Sequence, residues 1–245
     1  MCGIGLVAPP LWLDELLSVI PSMPLPEHEH SKGRCPHLTS KIADLHCHPA
    51  LEAALHLANG DLYSAHFLVR KSQGGAKELD WGHAILHRLE GDYGNAKCWY
   101  TDLSHLQNSH IYTQFWEGQS VTPGQFVDLS AFWHAQSQNR SQGSAAQLIY
   151  ESSSKHSKIK DAFSLPQLKD FESGSRSAPL RKKDVEELSR SEVRAMVEGL
   201  AAHHGWAALG YEESWKAIEE QKGGQKGSIE HNAESMILGQ SRRDF

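Results

Sequence analysis

Residues 80–100, DWGHAILHRLEGDYGNAKCWY, decide how this chain is read. Apolar residues recur along them at helical spacing. His83 and His87 stand four apart, which puts both imidazoles on one face of a helix, about one turn from each other. Gly91 then closes that helix, because glycine takes the left-handed conformation in which helices often end. Asp92 opens the next one, its carboxylate beside unpaired N–H groups and the positive end of the helix dipole. The stretch reads as a helical hairpin, and the question it raises is whether its histidines hold a metal or fill a scaffold.

The same arrangement occurs upstream. NGDLYSAHFLV, from Asn59, aligns with EGDYGNAKCWY, from Glu90. Gly60 and Gly91, Ala65 and Ala96, and His56 and His87 all keep one interval of 31 residues, the mark of an internal repeat. The alanine lets the second helix of each pair approach the first, and Val69 or Tyr100, four positions on, fills the gap. Hairpins are predicted over 51–59 with 61–71, and over 80–90 with 92–103.

LHRLEGDYGNAKCWY resembles the second half of a tetratricopeptide repeat, which carries Gly-Asp-Tyr-x-x-Ala-x-x-x-Tyr at this point. Gly91, Asp92, Tyr93, Ala96 and Tyr100 match it, as do Gly60, Asp61 and Ala65 in the first copy. Leu62 and Val69 replace aromatics there, and Gly82 directly follows Trp81 where the repeat has Trp-x-x-Leu-Gly. The stretch from about Leu51 to Tyr100 is also similar to a bacterial and fungal family with a WHAILHRREGDYxNAKYWF-type motif, from which it departs at Leu89. Both resemblances imply an all-α fold of tetratricopeptide-like hairpins. Neither supplies a reaction. Three repeats are the usual minimum for a stable stack, so additional helices at about 121–136 and 185–215 are expected to complete the core.

Composition sets the surroundings. Low mean hydropathy predicts that part of the chain stays out of the core. Residues 1–41 are expected as a mostly flexible leader with a short helix at 11–20, and 42–136 as the hairpin core. Residues 137–184, dominated by Ser, Lys, Gln and Gly, are expected as a disordered insertion. Residues 185–221 are predicted as C-terminal helices on the core, and 222–245 as a flexible tail. A net charge of −6 argues against nucleic-acid binding. No apolar run approaches the length of a membrane span. Cys2, Cys35, Cys47 and Cys98 lack paired spacing, which suits free thiols in the cytoplasm, with or without access to the nucleus.

The chemistry lies in the sixteen histidines. His83 and His87 could supply two imidazoles to one divalent metal, zinc or iron, and His66 is the best third ligand, since the second helix of one hairpin packs on the first helix of the next. Asp80, Glu90 or Asp92 could add a carboxylate, and Arg88 stands beside them. The metalloprotease order His-Glu-x-x-His is absent. Cys35, His37, His46, Cys47 and His48 form a second group of zinc-type ligands, with no recognised finger spacing. Met-Cys-Gly-Ile at the start resembles the glutamine amidotransferases that use an N-terminal nucleophile, but Pro9–Pro10, an amphipathic helix and the lack of Arg-Gly-Pro set that reading aside. Two functions are expected to compete. One is a binding or adaptor module for a protein or peptide partner. The other is a small-molecule or metal-dependent enzyme with a His-lined pocket between the hairpins, built on His66, His83 and His87 with Asp80 or Arg88.

Overall fold

A computed structural model describes residues 7–25, 29–71, 75–105, 110–138, 145–154 and 161–221. The described residues form helices and no strand: α1 Leu13–Ser18, α2 Pro36–Ala43, α3 Pro49–Asn59, α4 Leu62–Lys71, α5 Lys77–Glu90 and α6 Tyr93–His105. They continue as α7 His110–Glu117, α8 Pro123–Ser137, α9 Ala145–Ser154, α10 Leu165–Ser173, α11 Lys182–His204 and α12 Tyr211–Gln221. The fold is all-α. None of these helices is long and apolar enough to cross a membrane.

The two Gly-Asp turns are built alike. Gly60 (φ +70°) and Gly91 (φ +83°) are left-handed, a conformation that costs other residues about 1–2 kcal/mol. The glycine N–H donates to the carbonyl of Leu57 or Arg88, and the following aspartate N–H to that of His56 or His87. That pair of bonds satisfies carbonyls the helix end would otherwise orphan. Each aspartate then caps the next helix: Asp61 Oδ1 accepts from Ser64 N at 3.1 Å and Asp92 Oδ1 from Asn95 N at 3.2 Å. One residue ends a helix and begins its partner, so α3–α4 and α5–α6 are forced into tight hairpins. The second helix of the first pair packs on the first helix of the second, and α3 also packs on α5.

Helix α11 completes this core by crossing α3, α7 and α8. Val185, Val193, Met196, Val197 and Leu200 line its buried face. Its register is held by one buried carboxylate, Glu192. Glu192 Oε1 accepts from Trp81 Nε1 at 2.9 Å and from Tyr100 Oη at 2.7 Å, while Oε2 accepts from an Arg88 nitrogen at 2.7 Å. Arg88 also donates to Ser189 Oγ at 2.6 Å and lies 4.8 Å over the Phe126 ring. A second buried ion pair, Lys97–Asp128, joins α6 to α8, and the other Asp128 oxygen accepts from Phe163 N at 2.8 Å.

Two expectations change. The leader is packed: Leu16, Ile20, Leu25, Leu38 and Ile42 are buried. It also serves the hairpin ends, since Leu25 N donates to Leu89 O and Arg34 N to Asn59 O, carbonyls left open at helix C-termini. The Ser-rich insertion contains α9 and α10, which bury Ala146, Ile149, Leu168 and Phe171, with Phe163 leading into α10. Phe171 meets Phe163 and Phe132 edge-on at 5.1 and 6.4 Å. A few aromatic anchors offset what the polar composition withholds. The C-terminal region holds more than one helix, as expected: α11 ends at Gly205 and α12 follows. Cys2 and the expected tail 222–245 lie outside the described residues.

Candidate metal centre

His66 lies on α4, His83 and His87 on α5, and the packing of the two helices brings all three rings together. Ring centroids are 5.4 Å apart for His66–His83, 5.7 Å for His66–His87 and 4.8 Å for His83–His87. One ligand nitrogen from each imidazole lies within 4.8 Å of the other two. It is the one such group of three among the described residues. His83 and His87 are buried and His66 is half-buried, so the cluster is reached from the His66 side.

Each ring is fixed differently. His87 Nδ1 is 2.9 Å from Glu90 Oε2, which leaves Nε2 as its other ring nitrogen. His83 lies flat between His87 and the Trp99 indole, whose centroid is 4.1 Å away. The His83 Nδ1 atom is buried without a hydrogen-bond partner among the described residues, a state that costs about 1–3 kcal/mol. Burial, reinforced by the neighbouring imidazoles His87 and His66, holds the His83 pKa well below its ordinary value. Burial lowers His66 as well, against the opposing pull of Glu90. These two rings are therefore neutral at pH 7 and keep a lone pair for a ligand. Burial works to raise Glu90, but hydrogen bonding to His87 and the surrounding imidazoles bring it below its ordinary value, so it is a carboxylate.

The remaining candidates serve elsewhere. Asp80 Oδ2 accepts from Gly75 N at 2.7 Å and fastens the α4–α5 connection. Arg88 is directed into the Glu192 network of the core, since its spacing from His87 turns it away from the imidazoles. Asp92 caps α6. Trp99 stacks on the site; from sequence it is one of five aromatics, with Tyr100, Tyr112, Phe115 and Trp116, that could line a small-molecule groove but read more readily as interhelical filling.

The Cys35–His48 group does not gather. Cys35 N and O bond the Asn59 side chain, and His37 reaches Glu15 at 2.9 Å. Burial, helped by Glu52, pushes the Cys47 thiol up to about 12, leaving it protonated. Cys35, Cys47 and Cys98 are free and buried. His48 caps α3 through Nδ1 and stacks on His204, centroids 3.6 Å apart and planes 4° apart. Accepting from Ala50 N places the His48 proton on Nε2 in the neutral ring, which removes that nitrogen as a metal ligand.

Fold and site together define an all-α protein with a three-imidazole cluster at the contact of two helical hairpins. No protein-family model matches the chain, and no curated protein or solved structure matches it either.

Proposed function

We propose that this protein is a metal-dependent enzyme in which His66, His83 and His87 hold one divalent cation, zinc in preference to iron. The observation that carries the reading is the convergence of three ring nitrogens within 4.8 Å, one of them on a ring backed by a carboxylate. A carboxylate on the far nitrogen of a ligating histidine fixes its tautomer and raises its basicity. An all-imidazole set suits zinc, whereas the non-haem iron triad requires a directly ligating carboxylate. Glu90 is already engaged with His87.

Three protein ligands leave a tetrahedral ion one open position. Here that position would face the half-exposed His66 side, where a small molecule could reach it. The bound cation would supply Lewis-acid chemistry; the protein residues would position it and keep the inner face dry through His83 and Trp99. Zinc–nitrogen bonds of about 2.0–2.1 Å put tetrahedral ligand nitrogens about 3.4 Å apart. Loading therefore calls for the rings to turn inward by about an ångström, a small rotamer adjustment.

Cobalt(II) titration tests the reading. A tetrahedral three-nitrogen site gives intense visible bands in the wild type and loses them in His66→Ala and His83→Ala. Weak octahedral-type bands, or bands that survive both substitutions, would contradict it.

The adaptor reading retains one specific support. Tyr63 and Phe67, one turn apart on α4, are 66% and 64% exposed, and neighbouring exposed aromatics favour a protein or peptide partner. The resemblance to tetratricopeptide repeats points the same way.

A further inference from the structure

Away from the imidazoles, the C-terminal end of α4 meets the first turns of α12. Lys71, the last residue of α4, extends its ammonium across three rings. Nζ is 4.2 Å from the Trp215 ring centroid, 4.6 Å from that of Tyr211 and 6.0 Å from that of Phe67. It also donates to Tyr211 Oη at 2.7 Å. Tyr211 and Trp215 stand 6.5 Å apart with planes inclined at 58°, and the ammonium lies beside both, at the hydroxyl end of the Tyr211 ring.

We propose that Phe67, Tyr211 and Trp215 form a binding site for a methylated ammonium group, which Lys71 fills as a resident competitor. A single cation over one ring is common, but several aromatic faces around one cation are the arrangement that recognises choline or methyl-lysine. The site selects for cation character: among the described residues no carboxylate forms an ion pair with Lys71, although Glu212 and Glu213 begin the same helix. Those two acids add a negative field that any cation would feel.

Lys71 is a poor occupant of its own cage. A primary ammonium is compact and strongly hydrated, and among the described residues it keeps one hydrogen bond there, to a tyrosine that is 70% exposed. A methylated ammonium has a weaker hydration shell to lose and spreads its charge over methyl groups that contact all three rings. The exposure of Phe67 and Tyr211 leaves the mouth open, and Trp215, half-buried, forms the floor. Exchange of one cation for the other requires only that a flexible side chain swing out into water.

The test is calorimetric titration of choline, its neutral isostere 3,3-dimethylbutanol, and a trimethyllysine peptide into the full chain. Wild type, Lys71→Ala and Lys71→Ala/Trp215→Ala are compared, with hydrogen exchange across 211–221 as a check that α12 stays docked. Lys71→Ala is expected to bind choline or the peptide roughly tenfold more tightly than wild type, to bind the isostere less, and to lose binding with Trp215→Ala. The tighter of choline and peptide identifies the source of the ammonium group. No gain in Lys71→Ala, equal binding of the neutral isostere, or release of α12 in Lys71→Ala would overturn the proposal, the last by making Lys71 a tether only.

Discussion

His56 and His87 occupy the same position in two copies of one turn, yet their imidazoles meet different carboxylates. His56 Nδ1 lies 3.2 Å from Asp61 Oδ2, the cap of its own hairpin, and both groups are buried. His87 Nδ1 pairs with Glu90 at 2.9 Å. The residue equivalent to Glu90 in the first copy is Asn59, whose amide is spent on Cys35. Asn59 against Glu90 is one difference between a histidine that closes a turn and one that takes its place in the imidazole cluster; Glu52 against His83 is another.

Glu90→Gln is therefore expected to weaken metal binding about 10–100-fold, the usual effect of losing an outer partner of a ligating histidine. Glu90 is partly exposed, so fold stability should change little. Zinc affinity by chelator competition, beside a thermal melt, checks both halves.

Glu192→Ala is expected to destabilise the fold by about 3–5 kcal/mol, because it strands the Arg88 charge in the core together with the Trp81 and Tyr100 donors. The loss should appear as a lowered urea midpoint. Replacing Arg88 and Glu192 together by apolar residues of similar volume should recover only the part due to the stranded charge, because the Trp81 and Tyr100 donors stay unpaired.

Gly91→Ala is expected to cost about 1–2 kcal/mol from its left-handed backbone alone, with Gly60→Ala at least as damaging because the new methyl would stand 3.0 Å from Leu25 Cδ1. Chemical denaturation of the two variants checks the order.

Acid should destabilise the protein through the stacked His48–His204 pair. Burial, aided by His203, lowers His48 to about 4, and burial together with His48 lowers His204 to about 3, from an ordinary 6.5. The unfolded chain then binds these protons more readily than the folded one. The stability is fully present above pH 6.5 and is lost as pH falls from there toward about 4. A second proton on His48 would take Nδ1 and displace the Ala50 N–H, and His204 Nε2 is buried without a hydrogen-bond partner among the described residues, so neither proton gains from the fold. His204→Phe should flatten the decline of the urea midpoint between pH 7 and 5; an unchanged slope would assign the acid sensitivity to other groups.

Sequence made the hairpins legible because their causes are local. A glycine that must be left-handed and an aspartate that must cap are neighbours, and the interval between Gly60 and Gly91 repeats them. His66, His83 and His87 were legible for the same reason: helical spacing and hairpin order suffice to bring them together. Arg88 was not. Beside two histidines it reads as site chemistry, and its true partner, Glu192, lies on a helix about a hundred residues away. The α9–α10 segment was hidden by its serines, since Phe163, Leu168 and Phe171 are few and their burial depends on the face of α8, which no local pattern announces.

The most direct test of the central claim is the metal content of untagged protein, purified without chelator and then titrated with zinc, beside His66→Ala and His83→Ala variants. About one zinc per chain is predicted for the wild type, with strong loss in both variants while their circular dichroism stays helical. A wild type that takes up no stoichiometric divalent metal, or variants that hold it as well, would contradict the account.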